Sequence, residues 1–206
     1  MELKKRDCGI KIKLEPIGCN FLGIIFNFYG NEISFNPSSA VGGQFGDFLS
    51  ALYTLYYENG EGHDDWKQRE DHIEDGSNYI RAVSTTVDWD NEGEIMTIKM
   101  TKDYDENAHD INLKITTDYG ETFKEFTVND KDLCYAAAKA CTEVLKEYGI
   151  YGYKYSTEYD SFNLNQLLFI KAYALDCYRA RALIKVDELT EKTDFDKEVE
   201  LLLFDM

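Results

Sequence analysis

Met96-Thr97-Ile98-Lys99-Met100, followed by Ile111-Asn112-Leu113-Lys114-Ile115, alternates apolar and polar residues through two successive runs. A period of two sends every second side chain to the same face, so each run reads as a strand with one buried face. Val83, Thr85 and Val87 form a third run upstream, and Lys124-Glu125-Phe126-Thr127-Val128 a fourth downstream. The separators around residues 90–93, 105–107 and 118–120 are short, polar and turn-like. Consecutive strands on short connections pair as neighbours, so the region from Tyr79 to Val128 is expected to be an antiparallel meander.

The segment before this meander holds a second strand group and a helix. Ile10, Ile12 and Leu14 share one face against Lys11 and Lys13, and Phe21 to Tyr29 is a longer apolar run. Gly30-Asn31 reads as a tight hairpin turn, after which Glu32-Ile33-Ser34-Phe35 resumes the alternation until Pro37 ends it. The period then changes to that of a helix. Phe45, Phe48, Leu49, Leu52, Tyr53 and Tyr56 form one continuous stripe, closed by Asn59-Gly60.

Helices dominate the last third. One opens with Asn129 or Asp130 as N-cap, carries Leu133, Ala137, Cys141, Val144 and Tyr148, and stops at Gly149. The alternation of Tyr151, Tyr153 and Tyr155 suggests a short strand after it. Another helix from about Asn163 to Tyr178 is apolar nearly all round and is expected to be buried. At the end of the chain, Asp194 can cap a short helix, but Leu201-Leu202-Leu203-Phe204 also fits a strand. The expected fold class is α+β: an antiparallel sheet in two strand groups, with three to four helices packed on one face, and residues 1–206 as a single domain.

Composition bounds the partners. The 206 residues include 44% apolar residues, enough for a sizeable core, and 39 acidic against 22 basic residues give a net charge of −17. That sign opposes direct binding to a phosphate backbone. Five scattered cysteines without a C-x-x-C pair fit a reducing cytoplasm better than a disulfide framework. No apolar run is long enough for a membrane span or a secretory leader.

The charge excess is local. Residues 57–130 carry 20 acidic and 7 basic residues, whereas residues 1–56 are balanced. Successive turns of a meander alternate between the two ends of its sheet. The entering segment 58–75 and the 103–110 turn are therefore expected at the same end, together with Asn129 to Asp132, as one acidic pole. Acidic loops also serve plain solubility, but like charges gathered at one end repel each other, and a basic partner relieves that cost.

Other constellations are weaker. His63 and His72 stand among carboxylates, where imidazole and carboxylate together suit a transition metal, but their spacing matches neither H-x-x-x-H nor H-E-x-x-H. A solvated acidic loop is the simpler reading of that segment, and no metal or other cofactor is expected. Trp66, alone among these charges, either folds onto the core or anchors an interface. The run from Ser38 to Asp47 opens a helix with glycines but has neither phosphate-loop pattern, and Asp47 already complements the helix dipole.

Ile24-Ile25-Phe26-Asn27-Phe28, a turn, Glu32-Ile33-Ser34-Phe35 and then Gly46-Asp47-Phe48-Leu49-Ser50-Ala51-Leu52-Tyr53 resembles the opening of small acidic immunity-like proteins of bacterial toxin systems. The resemblance covers residues 20–57 and transfers no functional residues. It implies a non-enzymatic protein that occludes one cognate basic partner, a toxin such as a nuclease. With the charge pattern, it makes Asp64, Asp65, Trp66, Glu70, Asp71, Asp103, Asp105 and Glu106 the expected partner contacts, with no catalytic residue, no direct nucleic-acid contact and no membrane. The alternatives are a phage-type inhibitor or DNA mimic, and a metal-dependent enzyme centred on residues 63–75.

Overall fold

The computed structural model describes residues 8–17, 21–35, 44–55, 67–74, 77–91, 94–103, 109–156, 162–175 and 193–206. Among these residues eight strands lie in two antiparallel sheets. The first sheet has the order β1 (Ile10–Ile17), β2 (Phe21–Phe28), β3 (Asn31–Phe35). The second is an uninterrupted meander of β4 (Lys67–Glu74), β5 (Ser77–Asn91), β6 (Glu94–Asp103), β7 (Asp110–Thr117) and β8 (Thr122–Asn129). Helices α1 (Gln44–Thr54), α2 (Asp130–Ser156), α3 (Leu164–Ala174) and α4 (Phe195–Leu203) complete an α+β fold.

The alternating runs become the inner files of the two sheets. In the meander, Thr85 stands opposite Met100 and Met100 opposite Leu113, while Val87, Ile98 and Ile115 make the next row. All six are buried, and their odd-even neighbours Thr86, Lys99 and Lys114 are only partly covered on the outer face. In the first sheet Ile12, Phe26 and Ile33 form the corresponding buried row.

Aromatic rings join the layers. The Phe26 ring lies 5.3 Å from Phe48 of α1, 5.8 Å from Phe35 of β3 and 6.0 Å from Trp89 of β5, each in an edge-on arrangement. Phe28 packs at 4.7 Å on Phe126 of β8. Edge-to-face pairs of this kind add about 1 kcal/mol each beyond the area they bury. α1 is fixed to α3 by Tyr53 on Phe169 and by Ser50 Oγ donating to Gln166 Oε1 at 3.0 Å. One contiguous cluster of buried side chains thus takes in both sheets and α1 to α3.

Three local readings change and one that stood open is decided. Residues 67–74 form β4, an edge strand paired to β5, and not a loop. β4 is the outermost strand of its sheet in the pairing order, and its charged sequence has no apolar file, so periodicity carries no signal there. The hairpin turn is Tyr29-Gly30, one residue earlier than expected. Both residues have positive φ (52° and 91°), and Asn31 already pairs with Phe28. The side chain of Asn27 steadies this turn by accepting from Gly30 N–H at 2.9 Å. α2 is interrupted but not ended at Gly149 (φ 75°, ψ 161°), and residues 151–156 continue as helix where a strand was expected. Of the two options for the chain end, Asp194 caps a helix, its side chain accepting from Lys197 N–H at 3.2 Å.

α3 carries one buried cation among its apolar side chains. Lys171 is fully buried, and its ammonium donates to Thr142 Oγ1 of α2 (3.2 Å), Leu202 O (3.0 Å) and Phe204 O (2.7 Å). It therefore satisfies carbonyls that the end of α4 leaves open and ties that helix to the body of the protein. Burial, seconded by the nearby Lys146, lowers its pKa to about 8, against the opposing pull of Asp205 and Cys141.

Two outcomes follow from this packing. Phe26→Ala lowers unfolding free energy by roughly 3–5 kcal/mol in urea titrations, because the ring fills the junction of both sheets and α1. Lys171→Met costs about 1–3 kcal/mol at pH 7 by stranding the α4 carbonyls. The pH dependence has a fixed sign. Between about pH 8 and 10.5 the folded chain holds fewer protons at Lys171 than the unfolded one, so its contribution to stability rises with pH and is lost as pH falls through 8. Denaturation of both proteins at pH 7.5 and pH 10 measures it: the gap between wild type and Lys171→Met widens at the higher pH.

Candidate partner-binding pole

One end of the five-stranded sheet collects the β4–β5 turn, the β6–β7 connection and the β8–α2 junction, as the meander requires. Register defines its last complete row. Glu70 stands opposite Ala82, Ala82 opposite Asp103, and Asp110 opposite Asn129. The β6–β7 register ends at Lys102 opposite Ile111, and one further step brings Asp103 level with Asp110. Residues at such positions have Cα atoms about 5 Å apart.

Strand alternation then sorts the charges at this end. On β6 the buried file Met96, Ile98, Met100 continues to Lys102, and on β7 the buried file Ile115, Leu113, Ile111 continues to His109. Asp103 and Asp110 belong to the outer files and are exposed. Among the described residues neither Asp103 nor Asp110 forms a side-chain hydrogen bond or an ion pair. The other outer-face acids differ: Asp88 accepts from Thr97 Oγ1 at 2.7 Å and Glu125 from Asn112 Nδ2 at 2.9 Å.

The inner file ends on a buried carboxylate. Asn129 caps α2, its side chain accepting from the backbone N–H groups of Lys131 (3.2 Å) and Asp132 (3.3 Å), so Asp130 falls in the first turn, where the helix dipole favours an anion. Asp130 has no exposed surface. Tyr173 of α3 donates to its Oδ2 at 2.6 Å and the Lys102 ammonium lies 3.2 Å from the same oxygen. His109 Nδ1 lies 3.5 Å from Oδ1, which accepts no hydrogen bond among the described residues. The backbone joins in, with Asp130 N–H donating to His109 O at 2.7 Å.

Of the expected contacts, the structure brings Asp103 and the backbone position of Glu70 into one row, and places Asp71 opposite Ile80, beyond a bulge that follows Glu70. Asp64, Asp65, Trp66, Asp105 and Glu106 lie outside the described residues. The entering segment also takes a different path from the expected one. Lys67 starts opposite Thr85, midway along β5, so β4 travels toward the pole and only its second half reaches it. Nor are acids confined to this end, since Glu94, Asp118 and Glu121 are exposed at the other, beside exposed Ile95, Tyr119 and Phe123. Asp110 and Asp130 were not among the expected contacts. The signal for them was the parity of the two files, which places 102 and 109 inside and 103 and 110 outside.

Of the two histidines weighed as metal ligands, His72 sits in β4 opposite Tyr79, and His63 lies outside the described residues. Among the described residues no helix is long and apolar enough to cross a membrane. No protein-family model, curated protein or solved structure matches the chain.

Proposed function

We propose that the protein is a non-enzymatic, immunity-type binding protein that neutralises a basic protein partner by docking it on this pole. The observation that carries the reading is the exposed pair Asp103 and Asp110, one step beyond the last β6–β7 pair and, among the described residues, without an ion pair. A partner's guanidinium matches such a pair, because its planar fork can address two carboxylates at once. The net charge of −17 supports the same partner sign by steering a cationic surface toward the molecule.

The resemblance of residues 20–57 to immunity-like proteins supports occlusion rather than chemistry as the mode of action. Five scattered cysteines without a C-x-x-C pair suit a cytoplasmic setting. On this reading the partner is a toxin, such as a nuclease, whose basic substrate-binding surface is covered.

Reversing Glu70, Asp103 and Asp110 to lysine reduces capture of basic protein from the producing cell at least about tenfold, chiefly through the association rate. Surface-plasmon measurement of the captured partner at 50 and 300 mM salt then shows the wild-type on-rate falling with salt, and the reversed variant losing most of that dependence. Undiminished capture by the reversed variant overturns the proposal.

A further inference from the structure

We propose that Asp130 is a positioning residue for the pole: by pairing with Lys102 on the inner face and turning His109 toward itself, it leaves Asp103 and Asp110 without an ion pair on the outer face. The inference rests on the pole being the docking surface, and it explains how that surface keeps its charge. Each exposed carboxylate has a cation-capable residue as its immediate chain neighbour, Lys102 beside Asp103 and His109 beside Asp110. Either neighbour, turned outward, would offset the acid next to it.

Both are held the other way. Lys102 ion-pairs with Asp130 Oδ2, its side chain only 14% exposed, and His109, its side chain 46% exposed, turns Nδ1 toward Oδ1 at 3.5 Å. A carboxylate with no exposed surface is costly unless it is paired, so the pull on these two residues is strong. Tyr173 fixes the direction of that pull by donating to Oδ2 from α3. The next cations along the outer files, Lys99 and Lys114, are four residues from Asp103 and Asp110 respectively, about 13 Å along an extended strand, which exceeds a Debye length of roughly 8 Å. One buried anion thus separates the two signs of charge at the end of the sheet.

The test uses small nitroxide cosolutes, one cationic (an amino-nitroxide) and one anionic (a carboxy-nitroxide), and compares the relaxation each causes at the backbone amides of residues 103 and 110. The ratio reports local potential and needs no partner. In wild type both amides favour the cationic probe. Asp130→Asn lowers that preference about twofold as Lys102 swings outward. Lys102→Met changes the ratio little in the wild-type background and restores it in the Asp130→Asn background. This non-additive result is one that a purely structural role for Asp130 would not produce. Equal effects of Lys102→Met in both backgrounds, or an unchanged ratio in Asp130→Asn, overturn the inference while leaving the docking proposal standing. Failure of charge reversal to weaken partner capture does the opposite. If Asp130→Asn does not fold, Tyr173→Phe, which removes the hydroxyl that holds the same carboxylate, is read by the same ratio: a lowered cationic preference supports the inference, and an unchanged one overturns it.

Discussion

A carboxylate buried at the junction of β8 and α2 constrains the functional end of this molecule. Asp130 has no exposed surface, and an ion so placed is tolerable only if its charge and lone pairs are met. The partners come from separate parts of the chain: Lys102 at the end of β6, His109 at the start of β7 and Tyr173 in α3. Helix α2 therefore cannot be seated independently of the β6–β7 connection or of α3. Losing one partner of a buried pair commonly costs about 3–5 kcal/mol, so this junction has little freedom to drift. The cap at Asn129 and the bond from Asp130 N–H to His109 O hold the backbone to the same arrangement.

What this junction does to the surface follows from strand parity. Successive residues of a strand leave on opposite faces, so with Lys102 directed to Asp130 on the inner face its neighbour Asp103 faces out, as Asp110 does beside His109. The β6–β7 register then sets those two level with each other. Like charges opposed across a pair of strands weaken the pairing. The compensation is on the other side of the sheet, in the network around Asp130.

Much of the fold was legible because burial writes itself into the sequence. The files Met96-Ile98-Met100 and Ile111-Leu113-Ile115 alternate since one face meets the core, and Phe45, Phe48, Leu49 and Leu52 recur at helical spacing since one stripe of α1 does. Asp194 announced α4 as an N-cap because its side chain answers an orphan N–H. β4 was illegible for the converse reason: an edge strand of charged residues owes its existence to backbone pairing with β5, which leaves no mark of periodicity. The tyrosines at 151, 153 and 155 misled because alternation in a three-residue sample fits a strand by chance, and Gly149 kinks α2 without ending it. The site was partly legible. Asp103 could be placed from the meander alone, whereas the Asp130 cluster joins residues 102, 109, 130 and 173, a set that only the folded chain brings together.

The two ends of the sheet differ in arrangement more than in acidity. At the far end Glu94, Asp118 and Glu121 are mixed with the exposed apolar side chains of Ile95, Tyr119 and Phe123. At the near end the outer files finish on carboxylates of two neighbouring strands, one step beyond the last β6–β7 pair, with Lys102 and His109 turned toward Asp130. At a screening length of roughly 8 Å, charges on neighbouring strands act on an approaching cation together, while scattered ones are damped separately. Net charge can therefore bring a basic protein to this molecule from any direction. It is the paired geometry at the near end, maintained from within by Asp130, that gives such a protein a reason to stop there.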